Sequence, residues 1–152
     1  MTTAMVHHSD LRPPRVTSCN VSFPSEHIML VTISRPKQMN TVTYGMNWEM
    51  DALFNWFDDE PTIRVAVITG EGTKAFCAGS DLIEIEQMQK AKLNGKQSGA
   101  EMAKYVHPSG GEGGMSRRRG KKPILAAVNG LALGGGFEMV LNRYDNVSIN
   151  VS

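Results

Sequence analysis

The sequence predicts an α/β fold, and three observations carry that expectation. Short runs rich in β-branched and aliphatic residues recur at 27–34 (HIMLVTIS), 64–69 (RVAVIT) and 123–128 (PILAAV). Between them the apolar period changes. Met46, Met50, Leu53 and Phe57 fall on one face of a helix over 44–59, and Leu82, Ile85 and Met88 repeat at helical spacing over 81–92. Strands thus alternate with helices, the pattern of an α/β domain.

Residues 1–16, with Asp10 and two prolines, read as a disordered leader, and Thr17 to Phe23 as a short strand. The strand over 27–34 ends at Arg35-Pro36, because proline cannot donate to a ladder. Thr43 is a natural N-cap for the helix over 44–59, beside whose apolar stripe lie Trp48 and Trp56; Glu60-Pro61 closes it. Gly70-Glu71-Gly72 turns the chain after the strand over 64–69. Residues 92–122 are rich in Gly, Ser, Lys and Arg, and read as a variable, mobile loop around one short helix near Ala100 to Tyr105. After the strand over 123–128, Asn129-Gly130 and Gly134-Gly135-Gly136 form two turns, and Phe137 to Leu141 begins a helix.

The charge balance excludes some classes of function. Lys plus Arg is 16 and Asp plus Glu is 15 in 152 residues, a net charge of +1, which is no signature of nucleic-acid or membrane binding. No apolar run is long enough to span a bilayer, and residues 1–15 lack the apolar core of a secretory signal. Cys19 and Cys77 read as free thiols of a reducing compartment. The histidines His7, His8, His27 and His107 have no metal-ligand spacing, so no metal site is expected. An intracellular location is expected, with no targeting signal to choose among cytosol, mitochondrion and peroxisome.

Three glycine-rich patches compete for chemistry. Gly70-Glu71-Gly72-Thr73-Lys74-Ala75 fits the spacing of a dinucleotide fingerprint, but a further turn, Phe76-Cys77-Ala78-Gly79, follows where a helix should open. In Ala75 to Leu82 (AFCAGSDL), small residues let a ligand approach the main chain, and the Ser80 N–H stands where a helix begins with Asp81 beside it. Asn129 to Glu138 (NGLALGGGFE) again bares main-chain N–H groups before a helix and adds a carboxylate. Two such elements after two strands can aim two donors at one oxygen, which is what an oxyanion hole needs. The basic run Arg117-Arg118-Arg119-Gly120-Lys121-Lys122 reads either as a solvated loop or as a phosphate contact.

The second and third patches, with Arg35-Pro36-Lys37-Gln38-Met39-Asn40, resemble the signature segments of the crotonase superfamily, the enoyl-CoA hydratases and isomerases. The likeness runs from near Ile28 to Asn142 and corresponds to the first half of a family member. It implies a crotonase-like (ClpP/crotonase) spiral of ββα units, incomplete at the C-terminus, over residues 17–142. It also implies an acyl-CoA or enoyl-CoA substrate, with CoA present only as part of the thioester and no permanently bound cofactor, and a homo-trimer or hexamer. By the same resemblance the N–H groups of Ser80 and Gly135 form the oxyanion hole that stabilises a thioester enolate. Glu138 is a general acid/base whose pKa apolar Phe137 and Met139 would raise. Ala78, Ser80, Asp81, Leu82 and Ile83 line the CoA channel, and Lys37 lies near the CoA nucleotide.

From Arg143 onward the family's next strand and second catalytic glutamate are not matched, so residues 143–152 read as an aberrant tail and the chain as truncated. Two further readings stand beside the leading one: an inactive remnant with weak CoA-thioester binding, and a dinucleotide-binding fragment.

Overall fold

The computed structural model describes residues 11–95, 99 and 103–141. The first ten residues of the expected leader and the tail over 143–152 lie outside the described residues, as does part of the helix expected near Ala100.

Six strands and three α-helices are described: β1 (Cys19–Ser25), β2 (Ile28–Ile33), α1 (Tyr44–Asp59), β3 (Val65–Gly70), β4 (Ala75–Cys77), α2 (Leu82–Leu93), β5 (Ile124–Ala127), β6 (Leu131–Ala132) and α3 (Gly135–Leu141). The main sheet has the order β1-β2-β3-β5, with β1 antiparallel to β2 and the other pairs parallel. The register pairs Leu30 with Val67 and Val67 with Leu125. β4 and β6 form a separate parallel pair.

Strand periodicity puts Met29, Val31 and Ile33 of β2, Ala66 and Ile68 of β3, and Ile124 and Ala126 of β5 in the core. α1 brings Met46, Met50, Leu53, Phe54 and Phe57 to the same core, and the Thr43 Oγ1 accepts the Met46 N–H at 3.2 Å as its cap. The helix spans the residues its periodicity predicts. Trp48 stays half exposed and donates its Nε1–H to the Val106 carbonyl, 2.8 Å away. α2 forms as expected but fully buries none of its residues among the described residues.

The leader expectation is corrected at its end. Leu11 is buried in the core, Val16 packs against it, and the Glu49 carboxylate accepts from the Thr17 N–H and hydroxyl. The basic run is corrected as well, since it is neither a solvated loop nor a phosphate site throughout. Arg118 pairs with Asp58. The Lys122 ammonium donates to the Phe57 carbonyl at 2.6 Å and to the Glu60 carbonyl, and lies 5.1 Å from the Phe57 ring centroid. Burial lowers the Lys122 pKa, opposed by Asp58, Glu60 and Asp59. This cation satisfies orphan carbonyls at the α1 C-terminus. Lys122→Met is expected to cost about 1–2 kcal/mol; a urea midpoint unchanged from the parent would refute that role.

Candidate functional site

β4 and β6 run in parallel, and each leads through a tight turn into a helix. Ala78-Gly79-Ser80 carries β4 toward α2, and Leu133-Gly134 carries β6 into α3. The Cys77 carbonyl accepts the Leu133 N–H at 3.0 Å and joins the two turns. Gly79 (φ 91) brings them into backbone contact: a Cβ there would stand 2.9 Å from the Leu133 carbonyl oxygen and 3.2 Å from the Gly135 nitrogen. Only glycine allows both that backbone conformation and that approach. Ser80 and Gly135 therefore come together, as the sequence implies. The hydrogen bonds of the described residues give neither the Ser80 N–H nor the Gly135 N–H an acceptor.

A second set of contacts fixes Ser80. Val42 bridges it in parallel: the Val42 N–H donates to the Gly79 carbonyl, and the Asp81 N–H donates to the Val42 carbonyl, both at 2.9 Å. Asp81 is the N-cap of α2, and its Oδ1 accepts the Ile83 and Glu84 N–H groups. Its Oδ2 lies 2.8 Å from Arg35 Nη2. Burial pushes the Asp81 carboxyl up, but the Arg35 guanidinium and the two N–H bonds outweigh it, so the pKa falls below the ordinary value.

These contacts narrow the CoA-channel expectation. The Asp81 and Ile83 N–H groups are already bonded within the chain, and the Ala78 N–H donates to the Met39 carbonyl. Leu82 and Ile83 present exposed side chains, and Lys37 is exposed in the 3-10 turn Pro36–Gln38. The dinucleotide spacing fails on structure, because Gly70 to Ala75 leads into β4 and no helix opens on it. Glu138 stands in the first turn of α3 and is exposed, as is Phe137, while Met139 turns into the core, so the described residues form no apolar enclosure around Glu138.

Beside Asp81, the site holds a second buried carboxyl, Glu112, which the sequence reading placed inside the mobile loop. Residues 108 and 110–115 are buried against α1. The Gly110 N–H donates to Asp51 Oδ1 at 3.0 Å and the Gly113 N–H to Asn47 Oδ1 at 2.6 Å. This anchoring delivers Glu112, 5 % exposed, onto Gly135: a Cβ on Gly135 would lie 2.4 Å from Glu112 Cγ and 2.7 Å from Cδ. Glu112 Oε1 accepts the Ser80 hydroxyl at 3.1 Å, and Oε2 lies 3.6 Å from His107 Nδ1.

Burial raises the Glu112 pKa; Ser80 and His107 oppose, and Glu138 adds to the rise. The Gly113 N–H fixes the Asn47 amide, so Asn47 Nδ2 faces His107 Nδ1 at 3.2 Å. A carboxyl with a raised folded-state pKa favours folding below its ordinary pKa of 4.5, and this contribution is lost as pH rises through the raised value. Glu112→Gln is expected to raise Tm at pH 8 and to leave it unchanged at pH 4; a thermal-melt series with no pH-dependent difference would contradict this.

The enoyl-CoA hydratase/isomerase family model matches residues 24–143. Mevalonyl-coenzyme A hydratase SIDH of Beauveria bassiana is 48 % identical over 133 residues, covering 86 % of this chain and 45 % of that protein. Carnitinyl-CoA dehydratase of Escherichia coli K12 is 40 % identical over 114 residues, covering 75 % of this chain and 39 % of that protein. The crystal structure of enoyl-CoA hydratase from Mycobacterium tuberculosis H37Rv superposes with a TM-score of 0.67 at 29 % identity, covering 86 % of this chain and 45 % of that one. The chain thus spans less than half the length of these relatives, and over that span it has their crotonase-like α/β fold. With the family model matching most of its residues, the chain belongs to the enoyl-CoA hydratase/isomerase family.

Proposed function

We propose that this chain binds the thioester of an acyl-CoA and stabilises the enolate formed at its carbonyl. The observation that carries this reading is the meeting of two bared N–H groups, Ser80 and Gly135, at the Gly79 contact. Each such donor contributes about 2.7–4 kcal/mol of transition-state stabilisation in hydrolytic enzymes that use them. Glu138, in the first turn of α3 and exposed, is assigned the role of general acid/base acting with a water. Lys37 and the backbone around Ser80 would face the CoA moiety, which enters only as part of the substrate. The family match and the CoA-thioester names of the relatives support the substrate class.

Thermal protection separates this reading from dinucleotide binding. Crotonyl-CoA at saturating concentration is expected to raise Tm, with about 2.7 kcal/mol of added stability at a hundred times its Kd, and NAD is expected to leave Tm unchanged. Protection by NAD and none by crotonyl-CoA would overturn the proposal.

A further inference from the structure

The fold engages only part of the basic run. Arg118 pairs with Asp58 and gives Nη1 to the Lys122 carbonyl at 3.3 Å. Lys121 pairs with Asp59 at 3.1 Å, and Lys122 covers the carbonyls at the end of α1. Arg117 and Arg119 are exposed, and neither side chain has a hydrogen bond or ion pair among the described residues. Both line one recess of about 370 Å³ between α1 and the segment over 109–120, with Asn55, Asp58, Ser109 and Arg118. That volume is in the range of small-molecule sites.

Local structure leaves the charge of this recess unbalanced. A Cβ on Gly111, which has φ 75, would stand 2.4 Å from Ser116 Oγ and 2.8 Å from Arg117 Nε, so glycine lets the Arg117 side chain lie against the main chain. Asp58 is the one carboxylate in the lining, and its Oδ1 already accepts from Arg118 Nη2 and from the Lys121 and Lys122 N–H groups at 3.0 and 3.2 Å. Asp51, on the same helix, accepts from the Gly110 N–H and from Asn55 Nδ2. Arg118 Nε is buried without an acceptor among the described residues, so that guanidinium is answered only in part. Three guanidiniums thus share the recess with one saturated carboxylate, and like charges held together repel. An anion between Arg117 and Arg119 relieves that repulsion, and phosphate oxygens match the guanidinium fork.

The rest of the lining indicates what carries the phosphate. It holds no apolar or aromatic side chain against which a hydrocarbon or a base would pack. The Ser109 hydroxyl and the Asn55 amide oxygen instead suit hydroxyl groups. The recess is also apart from the Ser80 site: Asn47 adjoins Ser80, and Asn55 is two turns farther along α1, about 12 Å away.

We propose that Arg117 and Arg119 form an anion site, separate from the thioester site, that binds a soluble phosphorylated polyol of the sugar-phosphate class. The inference does not depend on the thioester reading.

The test is calorimetric titration of the full chain with glucose 6-phosphate and with glucose. The phosphate ester is expected to bind about a hundredfold more tightly, since each of two charge-assisted bonds contributes about tenfold. Arg117→Gln and Arg119→Gln are each expected to weaken it about tenfold while leaving the urea midpoint in place. Lys121→Gln removes the same charge from a cation paired outside the lining, and is expected to change the affinity less than about twofold. Binding is expected to persist at saturating crotonyl-CoA. Equal affinity for ester and sugar overturns the proposal, and so does a loss on Lys121→Gln as large as on Arg117→Gln. Displacement by crotonyl-CoA overturns the separate site. Binding to phosphatidylinositol 4-phosphate vesicles and to no soluble ester overturns the soluble ligand.

Discussion

Gly136→Ala is expected to destabilise the chain by about 3 kcal/mol and to weaken thioester binding at least tenfold. A Cβ on Gly136 would stand 2.1 Å from the Cys77 carbonyl oxygen, 2.8 Å from its carbon and 2.9 Å from the Cys77 Cβ. Two of these are main-chain atoms of β4 and cannot rotate out of the way. α3 must instead move off the strand, which strains the Gly136 N–H bond to the Leu133 carbonyl and displaces the adjoining Gly135 N–H from Ser80. Gly134→Ala is the matched control. That position has φ 50 but nothing within 4 Å of an added Cβ, so the cost is backbone strain of about 1–2 kcal/mol. Tm and CoA-thioester affinity measured on both variants decide it: if Gly136→Ala binds and melts like Gly134→Ala, the close approach of α3 to β4 is not what holds the site.

Asn40→Ala is expected to cost about 3 kcal/mol, lowering Tm by roughly 10 °C. Asn40 is 1 % exposed, and its side chain makes three bonds that tie separate segments together. Oδ1 accepts the Arg35 N–H at 3.0 Å, and Nδ2 donates to the Ala75 carbonyl at 2.7 Å and the Glu71 carbonyl at 3.0 Å. Truncation leaves these groups without their partner in a site where little water can replace it. Asn40 also sits at φ 55, a left-handed conformation that asparagine tolerates better than alanine. The damage should spread to the Met39–Ala78 and Val42–Gly79 bonds that hold Ser80, so thioester affinity should fall along with Tm. A loss below 1 kcal/mol would show that the loop after β2 does not depend on this amide.

The sequence made most of this legible where local pattern and tertiary role coincide. In α1 the apolar stripe, the Thr43 cap and the buried face all agree, so its limits emerge from periodicity alone. Turn-forming glycines mark the two segments of Ser80 and Gly135 in the chain itself, and the resemblance singles out these two residues within them. β4 and β6 were not seen as strands, since three and two residues are too few for a period to show. α2 showed apolar spacing, but a spacing does not say how far it is covered, and here Ile85 and Met88 are only half-buried and Leu82 is exposed. Glu112 escaped for a different reason. Its neighbours are glycines and serines, the composition of a mobile loop, and its burial is imposed from a distance by Asn47 and Asp51 on α1. Asn40 was visible only as a letter in a resembling segment, because its worth lies in three acceptors and donors supplied by other parts of the chain.

The two cysteines give the fold a pair of internal clocks. Burial, with smaller charge effects, pushes the Cys19 thiol up to about 12 and the Cys77 thiol up to about 11, so neither forms a reactive thiolate while the structure is closed. An alkylating reagent can reach them only during openings, and its rate of labelling counts those openings. Cys77 lies between β6 and α3, so its clock runs with the separation of the two turns that bring Ser80 and Gly135 together. Cys19 is paired through β1 to Ile33 and keeps time for the main sheet. A ligand seated between the two turns should slow the first clock and leave the second running, which turns a pair of silent side chains into a read-out of where the molecule closes.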